Sequence, residues 1–304
     1  MAIGDVYEAE GVPDCYYLDT GMYDTPEYGC LYILDTEKPA VVDTGIGANY
    51  DATRAALDEI GIAPDELAYI IPTHVHLDHA GGAGFLARDY PNAEVLCHEV
   101  GARHLIDPAR LWEGTKRAVG AQFEYYVEPE PVPEARLTEI AGGDAIDLGD
   151  RTLDVYDAPG HAPHQAVFHD PAGSVVYAAD AVGIYIRRAD RVDVTSPPPD
   201  FELEQSLADI ETIRALDPDT LAYTHFGPAP AEGRLAEYAT VLTAWVEEVA
   251  AVREELGDDE AVVEELQARS DLDELWGPEK AAAEVAMNVR GVLRYLDTHS
   301  KREE

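Results

Sequence analysis

Three histidines and an aspartate, His74, His76, Asp78 and His79, fall within six residues of the stretch THVHLDHAGG at 73–82. The whole chain has ten histidines, so this is a concentration and not a background. In an extended segment, side chains at i and i+2 point the same way, so His74 and His76 present two imidazoles to one side just after a strand. Asp78 and His79 follow where a helix is expected to begin. Two nitrogen donors, then an oxygen and a nitrogen, suit one or two metal ions. Zinc accepts this mixture, and a catalytic zinc commonly has three protein ligands and a water. One cluster is too few for a pair of such sites, so further ligands are expected at other strand ends. His161 in DAPGH, Asp180 in VVYAAD, His225 in LAYTH and Asp43 in AVVDTG each close an apolar run. Reactive groups on loops held by a rigid scaffold are the usual arrangement of an active site.

The elements that must position these residues alternate along the chain. Apolar runs at 30–34, 39–43, 67–72, 93–97, 152–158, 166–170, 174–180 and 220–225 read as strands. Helical patterns lie at 49–60, 80–90, 99–106 and 201–216, with Asn49 or Asp51 as the cap of the first and Asp200 as the cap of the last. DTEKPA at 35–40 reads as a hairpin turn. From about 231 to 299 the pattern is helical only, broken at 256–259 and 275–280. The segment 107–134 ends in a proline-rich loop and is expected to cross the surface between two strand-rich halves.

Bulk properties bound the rest. The chain has 304 residues, enough for a large core, and 46% of them are hydrophobic, which is ordinary for a globular protein. No apolar run is long enough to span a membrane, and the start MAIGDVYEAEG carries no secretory pattern. Cys15, Cys30 and Cys97 are an odd number without a C-x-x-C pair, and are read as free thiols in a reducing cytosol. Net charge is −40, from 61 acidic and 21 basic residues spread along the whole chain. Such a chain repels itself in dilute buffer, whereas molar salt shrinks the Debye length to about 3 Å. A salt-rich cytoplasm is therefore the expected setting.

The H-x-H-x-D-H run, followed in order by PGH (His161), AAD (Asp180) and THFG (His225), resembles the metallo-β-lactamase superfamily over about residues 1–228. The resemblance implies an α+β, αββα four-layer sandwich, here a catalytic domain of residues 1–230 with a helical C-terminal extension of 231–304. It assigns His74, His76 and His161 to a first metal. It assigns Asp78, His79 and His225 to a second, with Asp180 bridging and Asp43 holding a ligand or the attacking water. Two zinc ions are expected, with iron or manganese as other fits. Relatives that reduce oxygen at a di-iron centre carry a glutamate where this chain has His76.

A bridged pair of zinc ions generates a hydroxide that attacks a carbonyl carbon or a phosphorus. The leading expectation is hydrolysis of an ester, thioester or lactone of glyoxalase II type. The alternative is a zinc phosphodiesterase or nuclease, because EVAMNVRGVLRYL at 284–296 resembles the C-terminal helices of an RNA-cleaving branch. The strong negative charge opposes nucleic acid. Mononuclear iron persulfide oxidation and a non-catalytic metal-binding protein are lesser readings. The expected partner is a small anionic substrate or nucleic acid, with no membrane and with the C-terminal helices as a lid, a brace or a homodimer contact. His164, three residues past His161, is a candidate proton donor. Arg187 and Arg188 in YIRRADR, with Arg191, are candidate anion contacts. Tyr23, Tyr28, Tyr125 and Tyr126 either rim the mouth or cover the core.

Overall fold

The computed structural model describes residues 2–303. A first sheet contains β1 (Val6–Glu8), β2 (Cys15–Asp19), β3 (Cys30–Leu34), β4 (Ala40–Val42), β5 (Tyr69–Ile71), β6 (Glu94–His98) and β7 (Leu137–Ile140), in that spatial order. Its first four strands are antiparallel and its last four run parallel. The second half begins with β8 (Ala145–Asp147), β9 (Thr152–Asp157), β10 (Ala166–Asp170) and β11 (Val175–Tyr177). A separate ribbon pairs β12 (Ile184–Ile186) with β13 (Arg191–Asp193). With β14 (Thr220–Tyr223) and β15 (Gly227–Pro230), the second sheet has the order β15-β14-β11-β10-β9-β8.

Side-chain alternation explains why the sheets stack. On β3, Leu31 and Ile33 enter one buried cluster while Cys30, Tyr32 and Leu34 enter another, as period-two alternation requires. On β10, Ala166 and Phe168 join the second of these clusters, and Val167 points to a third. The shared cluster lies between the sheets. The outer two are closed by helices, so both faces of each sheet are covered and the architecture is αββα. Covering the first sheet are α1 (Tyr50–Ile60), α2 (Leu77–Ala80), α3 (Ala83–Asp89) and α4 (Ala102–Ile106), followed by α5 (Ala109–Ala118). Leu111 of α5 packs against both outer clusters, so this helix stands at the seam between the halves. The second sheet carries α6 (Leu203–Ala215), α7 (Arg234–Leu256), α8 (Asp259–Arg269), α9 (Asp273–Trp276) and α10 (Pro278–Glu303).

The strand directions place the candidate ligands together. β4 and β5 are parallel, and β11 and β14 are parallel. β9 shares the sense of β11, because both are antiparallel to β10. Asp43, His74, His161, Asp180 and His225 all lie just beyond the C-terminal ends of these strands, at one edge of the sandwich.

Several local expectations are corrected. The helix expected at 80–90 is two helices, α2 and α3, separated at Gly81 and Gly82. A β-carbon on Gly82 would stand 2.6 Å from the Thr44 carbonyl, so glycine is needed for the 44–46 loop to approach. Asn49 holds the cap position of α1 without a side-chain cap, and its amide donates instead to the Thr20 carbonyl at 2.9 Å. Asp200 does not cap α6, whose cap position is Glu202. The strands β1, β2, β7, β8, β12, β13 and β15 were not expected. Cys15, Cys30 and Cys97 are all buried and free. Among the described residues, no helix is long and apolar enough to cross a membrane.

Candidate metal centre

His74, His76 and His161 meet through their ring nitrogens. His74 Nε2 lies 2.9 Å from His76 Nδ1, which lies 3.1 Å from His161 Nε2. His76 Nδ1 is common to both contacts and offers either one proton or one lone pair, so between neutral imidazoles only one of the two can be a hydrogen bond. A cation resolves the conflict. With bonds of about 2.05 Å, ligands around a tetrahedral zinc stand about 3.3 Å apart, close to the spacing found. Burial, followed by the neighbouring imidazoles, pushes the basicity of His74 and His76 well below the ordinary range. They are held neutral, as metal ligation requires.

Asp78, His79 and His225 form a second group. Asp78 Oδ2 lies 3.7 Å from both His79 Nε2 and His225 Nε2. Asp180 stands between the groups. Its Oδ2 lies 3.1 Å from His161 Nε2 and 3.5 Å from His79 Nε2, and its Oδ1 lies 3.5 Å from His225 Nε2. Among the described residues, buried His79 Nε2 and Asp180 Oδ1 have no hydrogen-bond partner. Leaving such atoms unpaired is costly, and an ion is the partner their chemistry fits. Burial disfavours charge on Asp180, but His161, His79 and His225 outweigh it and hold the carboxyl well below the usual range. Burial likewise opposes protonation of His79, yet Asp180, Asp43 and Asp78 together raise its basicity well above normal, so an ion at its Nε2 would take the place of a proton.

The surroundings fix which nitrogen faces inward. The His79 Nδ1–H donates to Asp43 Oδ2 at 3.0 Å, and the His225 Nδ1–H donates to the Tyr28 carbonyl at 3.0 Å. Both Nε2 lone pairs are thereby turned toward the candidate ions, the tautomer control common around metals. Asp43 is fully satisfied. Thr73 donates to its Oδ1 from both backbone N–H and hydroxyl at 2.8 Å, and the Thr224 hydroxyl donates to its Oδ2 at 2.6 Å. These bonds tie the ends of β4, β5 and β14 together. Thr73 and Thr224 were missed by sequence reasoning, although each immediately precedes a proposed ligand histidine.

The centre floors a cavity of about 540 Å³. Tyr23, Tyr28 and Tyr126 line one wall, while Tyr125 stands outside with its ring edge-on to Tyr23. Leu111, Gly114 and Arg117 of α5 face Pro197–Pro199 and the α10 residues Glu284, Met287 and Arg294. The segment expected as a surface crossing is thus partly a helix, and it walls the site. His164 lines the cavity with its ring stacked on His74 at 5.9 Å. Its Nδ1 accepts from the Val75 N–H at 3.4 Å, so the ring proton belongs on Nε2. Burial and then His161 push its basicity down to about 3, so it stays neutral.

Arg187 and Arg188 are not brought to the site. Arg187 donates to the Tyr17 hydroxyl at 2.8 Å, and Arg188 lies 4.0 Å from Glu27. The β12–β13 ribbon turns them away from the cavity. Arg191 is also engaged elsewhere, with Asp271 at 2.7 Å. Sequence reasoning also missed a buried knot on α10. Glu284 accepts from the Tyr28 hydroxyl at 2.8 Å and pairs with Lys280, whose ammonium lies 3.8 Å from the Tyr28 ring centre. Since the Tyr28 carbonyl holds His225, the C-terminal helix reaches the centre through one residue.

A four-layer sandwich that gathers His and Asp side chains able to hold a metal ion at one edge of both sheets is the architecture of a class made up mostly of metal-dependent hydrolases. The family model of the metallo-beta-lactamase superfamily matches residues 29–225, and the chain belongs to that superfamily. A metallo-beta-lactamase fold-containing protein of Sulfurisphaera tokodaii is 26% identical over 216 residues, covering 69% of this chain and 77% of the relative. A hydroxyacylglutathione hydrolase of Erythrobacter litoralis is 26% identical over 230 residues, covering 74% of this chain and 73% of the relative. The solved structure of an archaeal metallo-beta-lactamase superfamily protein from Sulfolobus tokodaii shares the fold with a TM-score of 0.67. At 20% identity it covers 96% of this chain and 99% of that one.

Proposed function

We propose that the chain is a metal-dependent hydrolase that cleaves an acyl thioester or ester. The carrying observation is that two groups of mostly buried donors meet on Asp180 at the floor of a cavity of small-molecule size. His74, His76 and His161 would hold one ion and Asp78, His79 and His225 the other, with Asp180 shared. Zinc is the expected metal, with iron or manganese as substitutes. When bound, the ions supply Lewis-acid polarisation of a carbonyl and acidification of water. Asp43 keeps His79 in the ligating tautomer. His164 offers a neutral Nε2–H, suited to donating a hydrogen bond to the leaving group. The tyrosine and proline walls restrict water around the reacting bond. The hydroxyacylglutathione hydrolase relative supports the thioester reading, because an acylglutathione is a thioester.

The test is metal analysis with a substrate panel in about 2 M salt, where surface repulsion is screened. Thioesters, esters, lactones and phosphodiesters are run on the wild type beside Asp78→Ala. The expected result is about two metal equivalents per chain, turnover of a thioester or ester, and loss of turnover in the variant. Turnover of phosphodiesters alone replaces this reading with a nuclease. Bound metal without any turnover makes the chain a metal-binding protein.

A further inference from the structure

Resting on the acyl-hydrolase reading, we infer that α5 carries the binding strip for an anionic acyl carrier, through Arg110 and Arg117 with Gly114 between them. The three residues stand at i, i+4 and i+7, so they share one helix face, and all three line the cavity above the centre. The arginines are about 10 Å apart along the axis. That separation suits an extended carrier bearing carboxylates or phosphates, which guanidinium forks match.

Charge gives the first argument. In a chain of net charge −40, arginines are generally engaged by a carboxylate or a carbonyl. Arg191 pairs with Asp271, Arg234 with Asp190 and Glu237, and Arg136 donates to the carbonyls of Ala87, Tyr90 and Ala93. Among the described residues, Arg110 and Arg117 have no carboxylate within 4.0 Å and no side-chain hydrogen bond. Helix electrostatics accounts for Arg117 in the last turn, where a cation is favoured. It does not account for Arg110, which lies in the first turn, where the dipole opposes a cation. Among the described residues, no contact accounts for a positive charge there.

Gly114 gives the second argument. Glycine is a poor helix former, and this one is interior to α5. Packing does not demand it, because a β-carbon placed there would meet nothing within 4 Å. Its backbone is ordinary helix, without the positive φ that favours glycine. What it provides is a bare strip of backbone between two arginines, open to the cavity. Arg294 also lines the cavity, from α10, but its Nε is engaged by the Pro199 carbonyl at 3.0 Å.

The decisive experiment measures binding apart from turnover. Equilibrium binding to the metal-loaded full chain is measured with S-methylglutathione, a carboxylate probe, and S-methyl coenzyme A, a phosphate probe. Neither offers a free thiol or a thioester. Expected are roughly tenfold losses in Arg110→Gln and in Arg117→Gln, the size of one charge-assisted hydrogen bond. Gly114→Ala is expected to melt no lower than wild type yet bind more weakly. Arg214→Gln, on α6, serves as the surface control and is expected to bind as wild type does. Whichever probe binds identifies the carrier's anion. Equal binding by wild type, Arg110→Gln and Arg117→Gln, or no binding of either probe to wild type, overturns the strip. Failure of the hydrolase reading shows separately, as no turnover of the same acyl group on any carrier, including neutral N-acetylcysteamine. If turnover persists with equal KM on neutral and anionic carriers, the hydrolase stands and the strip falls.

Discussion

On the floor of the cavity, each candidate ligand sits just beyond a strand or at the head of a short helix, and neighbours fix the orientation of His79 and His225. On the α5 wall, Arg110 and Arg117 project from an exposed helix and, among the described residues, are oriented by no hydrogen bond or ion pair. The floor concentrates like groups that only an ion can reconcile. The wall keeps a pair of charges uncommitted in a protein with a large excess of the opposite sign. The first region is suited to chemistry, which tolerates little displacement. The second is suited to selecting a ligand, which needs charge and room more than fixed geometry. A third element, the Lys280–Glu284 knot on α10, belongs with the floor in burial and with the wall in position.

The widest separation between the regions is expected from Asp180→Asn. It removes the one charge shared by both donor groups, and turnover and bound metal should both fall beyond the ~10–100-fold typical of outer-sphere changes. Metal analysis and kcat measure this, and a variant that keeps its metal and its rate would merge Asp180 with the ordinary loop residues. Next in size is Lys280→Met. It leaves Glu284 buried without its cation, and breaking such pairs costs about 3–5 kcal/mol. Because the pair is only 7% and 2% exposed, the loss should be the same in dilute and molar salt. The wild type itself should melt higher as salt rises, since salt screens the self-repulsion of a net charge of −40. A salt-independent wild-type melting curve would end the salt-adapted reading.

A smaller effect is expected from Asp43→Asn, which spoils the tautomer of His79 and should weaken metal by about 10–100-fold. Titration with a competing chelator reads it, and unchanged affinity would mean that Thr73 and Thr224 suffice. The smallest concerns pH. Burial disfavours the charged Glu284, but Lys280 and Tyr28 outweigh it and hold its carboxyl below the usual range. Above the unfolded carboxyl range of about 4.3, the group stabilises the fold; that contribution is lost as pH falls through the lower folded value. The melting-point gap between wild type and Glu284→Gln should therefore close on acidification. A gap that widens would reverse the sign of the coupling.

The floor was legible because its evidence is local. His74, His76, Asp78 and His79 are neighbours in sequence, and the remaining ligands each end an apolar run whose period shows a strand. The wall was not legible, because nothing local says that residues 109–118 face residues 284–294. Arg187 and Arg188 drew attention by adjacency, yet their short ribbon commits them to Tyr17 and Glu27. Arg110 and Arg117 are seven residues apart and align only once a helix is known. Strands such as VYE and AID were too short and too charged to register as a pattern. Caps failed at Asn49 and Asp200 for a related reason. A residue type permits a cap, but the approach of another segment, such as Thr20 to Asn49, decides its use.

The candidate ligands span the chain from His74 to His225, about 150 residues apart, and are drawn from both sheets. An ion gripping both ends is a cross-link as well as a reagent. Closing a loop of that size removes much of the freedom of the unfolded chain, on the order of 5 kcal/mol when the link is covalent. The three cysteines are buried, unpaired and form no such link. The metal would then be this protein's staple, and stripping it should loosen the seam between the two halves before either half melts.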